Sequence, residues 1–307
     1  MPRPFRFGLI VETRQTSRQE LIDLARRAED AGCSIMLGTD HFGRLAALPL
    51  LQTIAENTGL RIGTLVLNND FRSPVVLAQE LATIDMLTEG RLEIGVGAGW
   101  DRAEYEAAAL SFDPPGRRVD RMIATVGLLK QALGQGRMVR EGDDAYPQMN
   151  MSSMPRSVQR PHPPFLIGGG GPRVLKFAAR EADIVALDPK ALPQGGHDPA
   201  DVRAAAIDTK LGWIREAAGD RWDQLEVNVI VFDVDPDFRR RSGPAPERTH
   251  GVSDDEMVQS PHYLTGDVEE MADQLLARRE RWGISYISIG AAHLEAVEPV
   301  MRRLAGS

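Results

Sequence analysis

The stretch Gly95-Val96-Gly97-Ala98-Gly99-Trp100 decides between the two architectures open to this chain. Its alternating glycines approach the Gly-x-Gly-x-x-Gly turn on which Rossmann folds seat a pyrophosphate. That turn needs a third glycine where Trp100 stands and a helix opening at once. It also belongs after the first strand of its domain, whereas here it follows the fourth apolar run, Leu92 to Val96. The dinucleotide-binding reading therefore fails. Outward from it, short apolar runs alternate with amphipathic stretches in both directions. Upstream lie Phe5 to Val11, Ser34 to Gly38 and Leu60 to Leu67; downstream lie Phe165 to Ile167, Asp183 to Leu187, Leu225 to Phe232 and Ile284 to Ile289. Helical patterns fill the intervals. Ser17 with Glu20 makes a capping box before the first, Pro74 and Pro172 open two others, and Leu294 to Leu304 closes the chain. The remaining helices are expected at Leu45 to Asn57, Arg118 to Leu133, Ala200 to Ala218 and Val268 to Arg281. Eight strands each followed by a helix read as an α/β fold, a single (β/α)8 TIM barrel over residues 1–307. The surplus length falls in 135–164, 189–199 and 236–261, as insertions in loops at the C-terminal face, where such enzymes carry lids.

Composition narrows the function. The chain has 307 residues, with 36 basic against 44 acidic side chains and a formal charge of −8. Nucleic acid is thereby excluded as a main partner, because phosphate binding needs a basic face. A single cysteine, Cys33, permits neither a disulfide framework nor a multi-cysteine zinc site, and the six histidines lack metal-ligand spacing, so no metal is expected. No apolar run approaches the 18 to 20 residues that span a bilayer. Phe7 to Val11 is too short for a signal peptide. A cytoplasmic protein acting on a small molecule is the expectation.

Four segments fall at the C-terminal ends of expected strands, where a barrel places its active site. Thr39-Asp40-His41-Phe42 follows strand two. An Asp-His pair there supplies a general acid or base with a polar anchor; the other reading is an Asp capping the next helix beside a surface His. Leu65-Val66-Leu67-Asn68-Asn69 leaves strand three, with two side-chain amides suited either to a ligand's polar edge or to a turn. Gly97-Ala98-Gly99-Trp100 lets a planar ligand lie close to backbone. Gly168-Gly169-Gly170-Gly171-Pro172-Arg173 puts bare N–H groups at a helix start, an anion site to which Arg173 adds charge; no Walker lysine follows. Glu12 either points into the mouth or is solvated. Cys33 sits at the wrong strand end for catalysis. Met149, Met151 and Met154 read as packing. The Arg239, Arg240, Arg241 cluster reads either as a lid element or as a solvated charge run.

Taken in order, these segments resemble the bacterial luciferase-like monooxygenase superfamily. The match is carried by Arg61 to Val66, Ser73 to Glu80, Gly90 to Trp100 and Tyr263 to Glu270, and it extends over nearly the whole chain. The resemblance implies a (β/α)8 barrel, a homodimer, and FMN or the deazaflavin coenzyme F420 at the barrel mouth. The Asp40-His41 pair, the glycine run and the low lysine content look most like the F420-dependent branch. On that likeness His41 handles the substrate proton with Asp40 beside the cofactor ring. Thr39, Leu65, Val66 and Asn68, together with Gly97, Ala98, Gly99 and Trp100, lie along the cofactor, and a cis Leu65–Val66 peptide backs the ring. Gly168, Gly169, Gly170 and Gly171 hold its phosphate. Some sugar-phosphate dehydrogenases of that branch carry Glu where this chain has Trp100, which makes the present site more apolar. The implied activity is hydride exchange between F420 and a small organic substrate, with an FMN-dependent monooxygenase as the alternative.

Overall fold

The computed structural model describes residues 2–192, 197–238 and 252–307. Eight parallel strands close into a barrel: Arg6–Val11, Ile35–Gly38, Arg61–Thr64 resumed by Leu67–Asn68, Leu92–Gly97, Phe165–Gly169, Ile184–Leu187, Glu226–Val231 and Ile284–Gly290. The first pairs with the last, Arg6 opposite Tyr286 and Leu9 opposite Ile289, so no barrel edge is left open. The strands are short and rich in Val, Ile and Leu because both faces are covered. Ile35, Leu37, Leu166, Ile184, Ala186 and Tyr286 fill the barrel interior, and a larger apolar layer separates strands from helices.

The expected elements are present with shifted ends. Helix Arg18–Asp30 carries the Ser17–Glu20 capping box, and helix Pro172–Glu181 has the expected bounds. The second helix spans Ala47–Asn57, and helix Pro74–Leu87 opens on its proline. The fourth helix is longer than expected, Pro115–Gln135, since Pro115 starts it and Gly136 ends it at φ 72°. The expected helix at Ala200 is a 3-10 turn, Pro199–Val202, followed by helix Ala204–Ala218. Helices Val268–Trp282 and Leu294–Leu304 complete the outer ring.

Two insertions hold more structure than their patterning suggested. Residues 135–164 contain an antiparallel hairpin, Met138–Arg140 with Met149–Met151, and Met149 and Met154 pack against the core. Within 236–261 a capped helix spans Asp254–Gln259, next to a parallel pair, Asp233–Asp235 with Tyr263–Thr265. Arg239, Arg240 and Arg241 lie outside the described residues. Cys33 is buried, as a core residue.

A charge cluster plugs the end of the barrel opposite the mouth. The Arg6 guanidinium bridges Glu93 at 2.6 Å and Glu226 at 2.5 Å and lies 4.5 Å from the Tyr286 ring centre; Arg61 adds a second bond to Glu93 at 2.8 Å. Among the described residues, no helix is long and apolar enough to cross a membrane.

Candidate active site

The strand-two end is fixed by partners distant in sequence. The Asp40 carboxylate accepts from the Asn68 backbone N–H at 3.1 Å and from Arg72 Nη1 at 2.7 Å, tying strand two to the turn after strand three. It does not cap the next helix, whose N-cap is Ala46. No hydrogen bond joins it to His41. Instead His41 Nδ1 lies 3.1 Å from Glu104 Oε2, and a second oxygen of that carboxylate accepts from the Phe42 N–H. Glu104 projects from helix Arg102–Ala107, which Asp101 caps by accepting from Ala103 N–H. Among the described residues nothing bonds His41 Nε2. A carboxylate on Nδ1 holds the ring and fixes its tautomer, freeing Nε2 to exchange a proton. Thr39 is half-buried beside the pair.

The strand-three turn forms the floor of the mouth. The Leu65–Val66 bond is cis, as expected. Strand three gains one residue on strand four there, with Gly63 opposite Glu93 but Leu67 opposite Val96. The Thr64 hydroxyl fills the interrupted ladder, bonding both Gly95 N–H and Gly95 C=O at 2.9 Å. The backbone comes so close that a Cβ on Gly95 would stand 1.8 Å from Thr64 O. The methyl groups of Val66 then lie against Gly95, Gly97 and Gly168, where strands four and five present bare backbone. Asn68 Oδ1 accepts from Tyr105 Oη at 2.9 Å and from Asp70 N–H at 3.1 Å. Its Nδ2 has no partner among the described residues. Asp70 is gripped by Arg121 through two bonds of 2.9 and 2.8 Å.

The Gly97–Trp100 segment is pinned from behind. Gly99 adopts φ 76°, and a Cβ there would meet Tyr105 Oη at 2.1 Å. Arg118 Nη1 donates to Gly99 O at 3.0 Å. Ala98 packs on the core, while Trp100 stays 37% exposed at the rim. The Trp100 ring meets His41 edge-on at 6.2 Å and His197 at 5.7 Å; His197 stacks on Phe232 at 5.5 Å, and Phe232 on His262 at 5.0 Å. These rings form an arc along the mouth.

The glycine run makes a cradle that side chains would fill. Gly170 approaches Lys190 so closely that a Cβ would lie 2.4 Å from its backbone nitrogen. Gly171 caps helix Pro172–Glu181 without a side chain, no acid stands in the first turn, and the space beside Gly171 is open. Uncapped N–H groups at a helix start suit an anion. Arg173, expected to add charge here, is instead paired with Asp120 and bonded to Gly116 O at 3.3 Å. Glu12 is engaged with Arg44 at 2.6 Å.

Asp188, one residue past strand six, was not singled out by its sequence. Its Oδ2 lies 3.3 Å from the Cβ position of Gly168, and its carboxylate has no hydrogen bond or ion pair among the described residues. Burial pushes this carboxyl up to about 6, with Lys210 acting in the opposite direction. Its loop is held by Lys210, a buried cation 2.7 Å from both Asp188 O and Asp201 Oδ2. No group of three or more His, Cys, Asp or Glu among the described residues could hold a metal ion.

The profile of the luciferase-like monooxygenase family matches residues 4–213. A curated relative, an F420-dependent glucose-6-phosphate dehydrogenase from Kineococcus radiotolerans, is 30% identical over 248 residues, covering 76% of this chain and 70% of the relative. A 5,10-methylenetetrahydromethanopterin reductase from Archaeoglobus fulgidus is 26% identical over 253 residues, covering 77% and 71%. Among solved structures, the coenzyme F420 dependent tetrahydromethanopterin reductase from Methanopyrus kandleri superposes with a TM-score of 0.76 at 20% identity, covering 98% of each chain. At that identity the likeness is one of fold.

Proposed function

The chain belongs to the luciferase-like monooxygenase family, and on that premise we propose that it is an F420-dependent oxidoreductase acting on a small organic substrate. The observation that carries the reading is the pairing of a carboxylate-held imidazole with a bare-backbone cradle at one barrel mouth. Gly168 to Gly171 hold the cofactor phosphate. The Val66 floor, the Asn68 amide and the Gly97–Trp100 segment receive its planar ring. When bound, the deazaflavin supplies the hydride-carrying carbon. The protein supplies orientation, exclusion of water and proton transfer.

His41 is the proton-transferring group. Hydride exchange at a carbon bonded to oxygen or nitrogen builds charge on that heteroatom, and an imidazole is suited to give or take the matching proton near neutral pH. Glu104 holds the ring through Nδ1, so the exchange runs through Nε2. Asp40 is a positioning residue: bonded to Arg72 and to the Asn68 N–H, it locks the strand-two end to the cofactor floor. Trp100, His197 and Phe232 give the substrate chamber ring faces, which favours a substrate with apolar surface beside its reacting carbon.

The F420 dependence in the printed name of the glucose-6-phosphate dehydrogenase relative supports the deazaflavin over FMN. Expression in a host that makes both cofactors, followed by an absorbance spectrum of the purified protein, tests it. A deazaflavin band is expected; a flavin spectrum with oxygen consumption would shift the reading to an FMN-dependent monooxygenase. Residues 1–307 act as one barrel domain in the cytoplasm, assembled as a homodimer. The dimer is supported by helix Pro74–Leu87, which leaves Val76, Met86 and Leu87 about half exposed.

A further inference from the structure

We infer that Asp188 binds the polyhydroxyl chain that joins the cofactor's ring to its phosphate, its carboxylate accepting from the chain's hydroxyl groups. The inference rests on the reading above, which lays the ring on Val66 and the phosphate at Gly168 to Gly171. Its own observation is the place of a carboxylate that the fold leaves unpaired.

Strand six turns Ile184 and Ala186 into the barrel interior, and alternation makes Asp188 the next inward position. Asp188 thus tops the inward row at the floor of the mouth, where it is half-buried. Its neighbours there give it nothing to pair with: Gly168 is bare, and Val66, Ile10 and Ile230 are aliphatic. The Cβ position of Gly168 has Asp188 Oδ2 at 3.3 Å and Val66 Cγ1 at 3.9 Å. The carboxylate therefore stands beside the floor of the ring and at the first glycine of the cradle, three residues before the helix cap Gly171. A ligand reaching from Val66 to Gly171 passes Asp188 with its middle. In F420 and FMN alike that middle is a chain of hydroxyl groups.

The neighbouring cation is already committed. Lys210 Nζ lies 2.7 Å from both Asp201 Oδ2 and the Asp188 carbonyl oxygen. Burial raises the Asp188 carboxyl to about 6, so at pH 7.5 it is ionised and both of its oxygens accept. A carboxylate taken out of water without partners is costly. Hydroxyl donors restore the hydrogen bonds it lost, and bonds to a charged acceptor are the stronger kind.

Dissociation constants at pH 7.5 are measured for F420, for the phosphate-free deazaflavin that keeps the hydroxyl chain, and for the same ring carrying a methyl group instead. Each is titrated into wild type, Asp188→Asn and Asp188→Ala, and urea unfolding of the unliganded proteins is followed alongside. Both variants keep the backbone bonds to Gly169 and from Lys210. Asp188→Ala is expected to weaken the two chain-bearing ligands about ten- to a hundredfold, the contribution of one hydrogen bond to a charged acceptor. Asp188→Asn, whose carbonyl still accepts, should lose less. The methyl-bearing ring should bind all three proteins alike, and neither variant should unfold earlier than wild type. Unchanged constants for the chain-bearing ligands, an equal loss for the methyl-bearing ring, or earlier unfolding with weaker binding of every ligand would overturn the inference. Failure of the cofactor reading looks different: the wild type would bind FMN and riboflavin in place of the deazaflavins. Riboflavin against lumiflavin, its methyl-bearing counterpart, then decides the inference in the same way. A wild type that binds neither set overturns both.

Discussion

His41 and Glu104 are 63 positions apart in the chain, yet Nδ1 of the one stands 3.1 Å from Oε2 of the other. The imidazole is thereby held by a carboxylate that also accepts from the next backbone N–H, so ring and strand end move together. Removing the titrating group with His41→Asn should lower turnover roughly 10²- to 10⁴-fold, the usual contribution of a general acid or base, with cofactor affinity retained. Glu104→Gln keeps a hydrogen-bonding side chain but loses the charge and the enforced tautomer. Its expected loss is about tenfold in kcat with little change in cofactor binding. Rates measured with a deuterated hydride donor establish that chemistry limits turnover. Near-normal kcat in His41→Asn under that condition would remove His41 from the mechanism.

The phosphate cradle calls for a choice among its four glycines. Val at Gly170 would collide with the Lys190 backbone and move the loop, so lost binding there would be ambiguous. At Gly171 nothing lies within 4 Å of the Cβ position, and the backbone is extended at φ −99°. Gly171→Val should therefore fold normally and weaken cofactor binding at least tenfold by occupying the anion's place. An unchanged dissociation constant would move the phosphate elsewhere.

The barrel was legible because its strands are continuous Val, Ile and Leu runs and its helices carry local stop and start signals. Pro172 after four glycines fixes the start of one helix, and Ser17 with Glu20 fixes another. Helix Arg102–Ala107 is not among the helices expected from the sequence. Its one cue was Asp101 three residues before Glu104, the spacing of a capping box, and six residues hold too little periodicity to confirm it. Asp40 and His41 stood out as a pair, but their true partners, Arg72 and Glu104, come from other strand-end loops. Such contacts depend on closure of the barrel and leave no trace in local spacing. Asp188 was hidden for the same reason: it reads as an ordinary residue ending an apolar run until strand five brings Gly168 beside it.

At the opposite end of the barrel, Arg6 holds two buried carboxylates together. Glu93 and Glu226 have side chains only 5% and 9% exposed, and burial pushes Glu226 up against the pull of Arg6. Arg6→Met leaves both acids without their shared cation. Breaking a buried pair from one side typically costs about 3 to 5 kcal/mol. Urea unfolding at pH 7 should show a loss of that size, while kcat at temperatures where the variant is folded should be unchanged, because the cluster lies far from the mouth. Adding Glu226→Gln to Arg6→Met should recover part of the loss. A loss in Arg6→Met below about 1 kcal/mol would mean that the plug contributes little to stability.

His262 sets an acid limit on the fold. It is fully buried under Phe232, donates from Nδ1 to Ile230 O at 2.8 Å, and has no partner on Nε2 among the described residues. Burial pushes its pKa down to about 3, the bond to Ile230 acting in the opposite direction and Lys210 and Arg278 reinforcing the fall. An unfolded histidine titrates near 6.5. Between those values the unfolded chain binds a proton that the folded chain refuses, so stability falls as pH falls, beginning near 6.5 and ending near 3. At pH 5 the loss is roughly 2 kcal/mol, at about 1.4 kcal/mol per unit. Asp188 acts in the other sense: raised to about 6 when folded, it favours the folded state as pH falls from there toward its unfolded value near 3.9. The wild-type profile alone therefore mixes two opposed slopes. The difference between wild type and His262→Phe isolates one of them, since Phe keeps a ring on Phe232 and cannot titrate. Loss of the Ile230 bond adds a constant offset at every pH. The unfolding free-energy advantage of wild type over the variant should shrink by roughly 2 kcal/mol between pH 7 and pH 5. A difference that stays constant across that range would show that His262 takes up its proton in the folded state as readily as in the unfolded one.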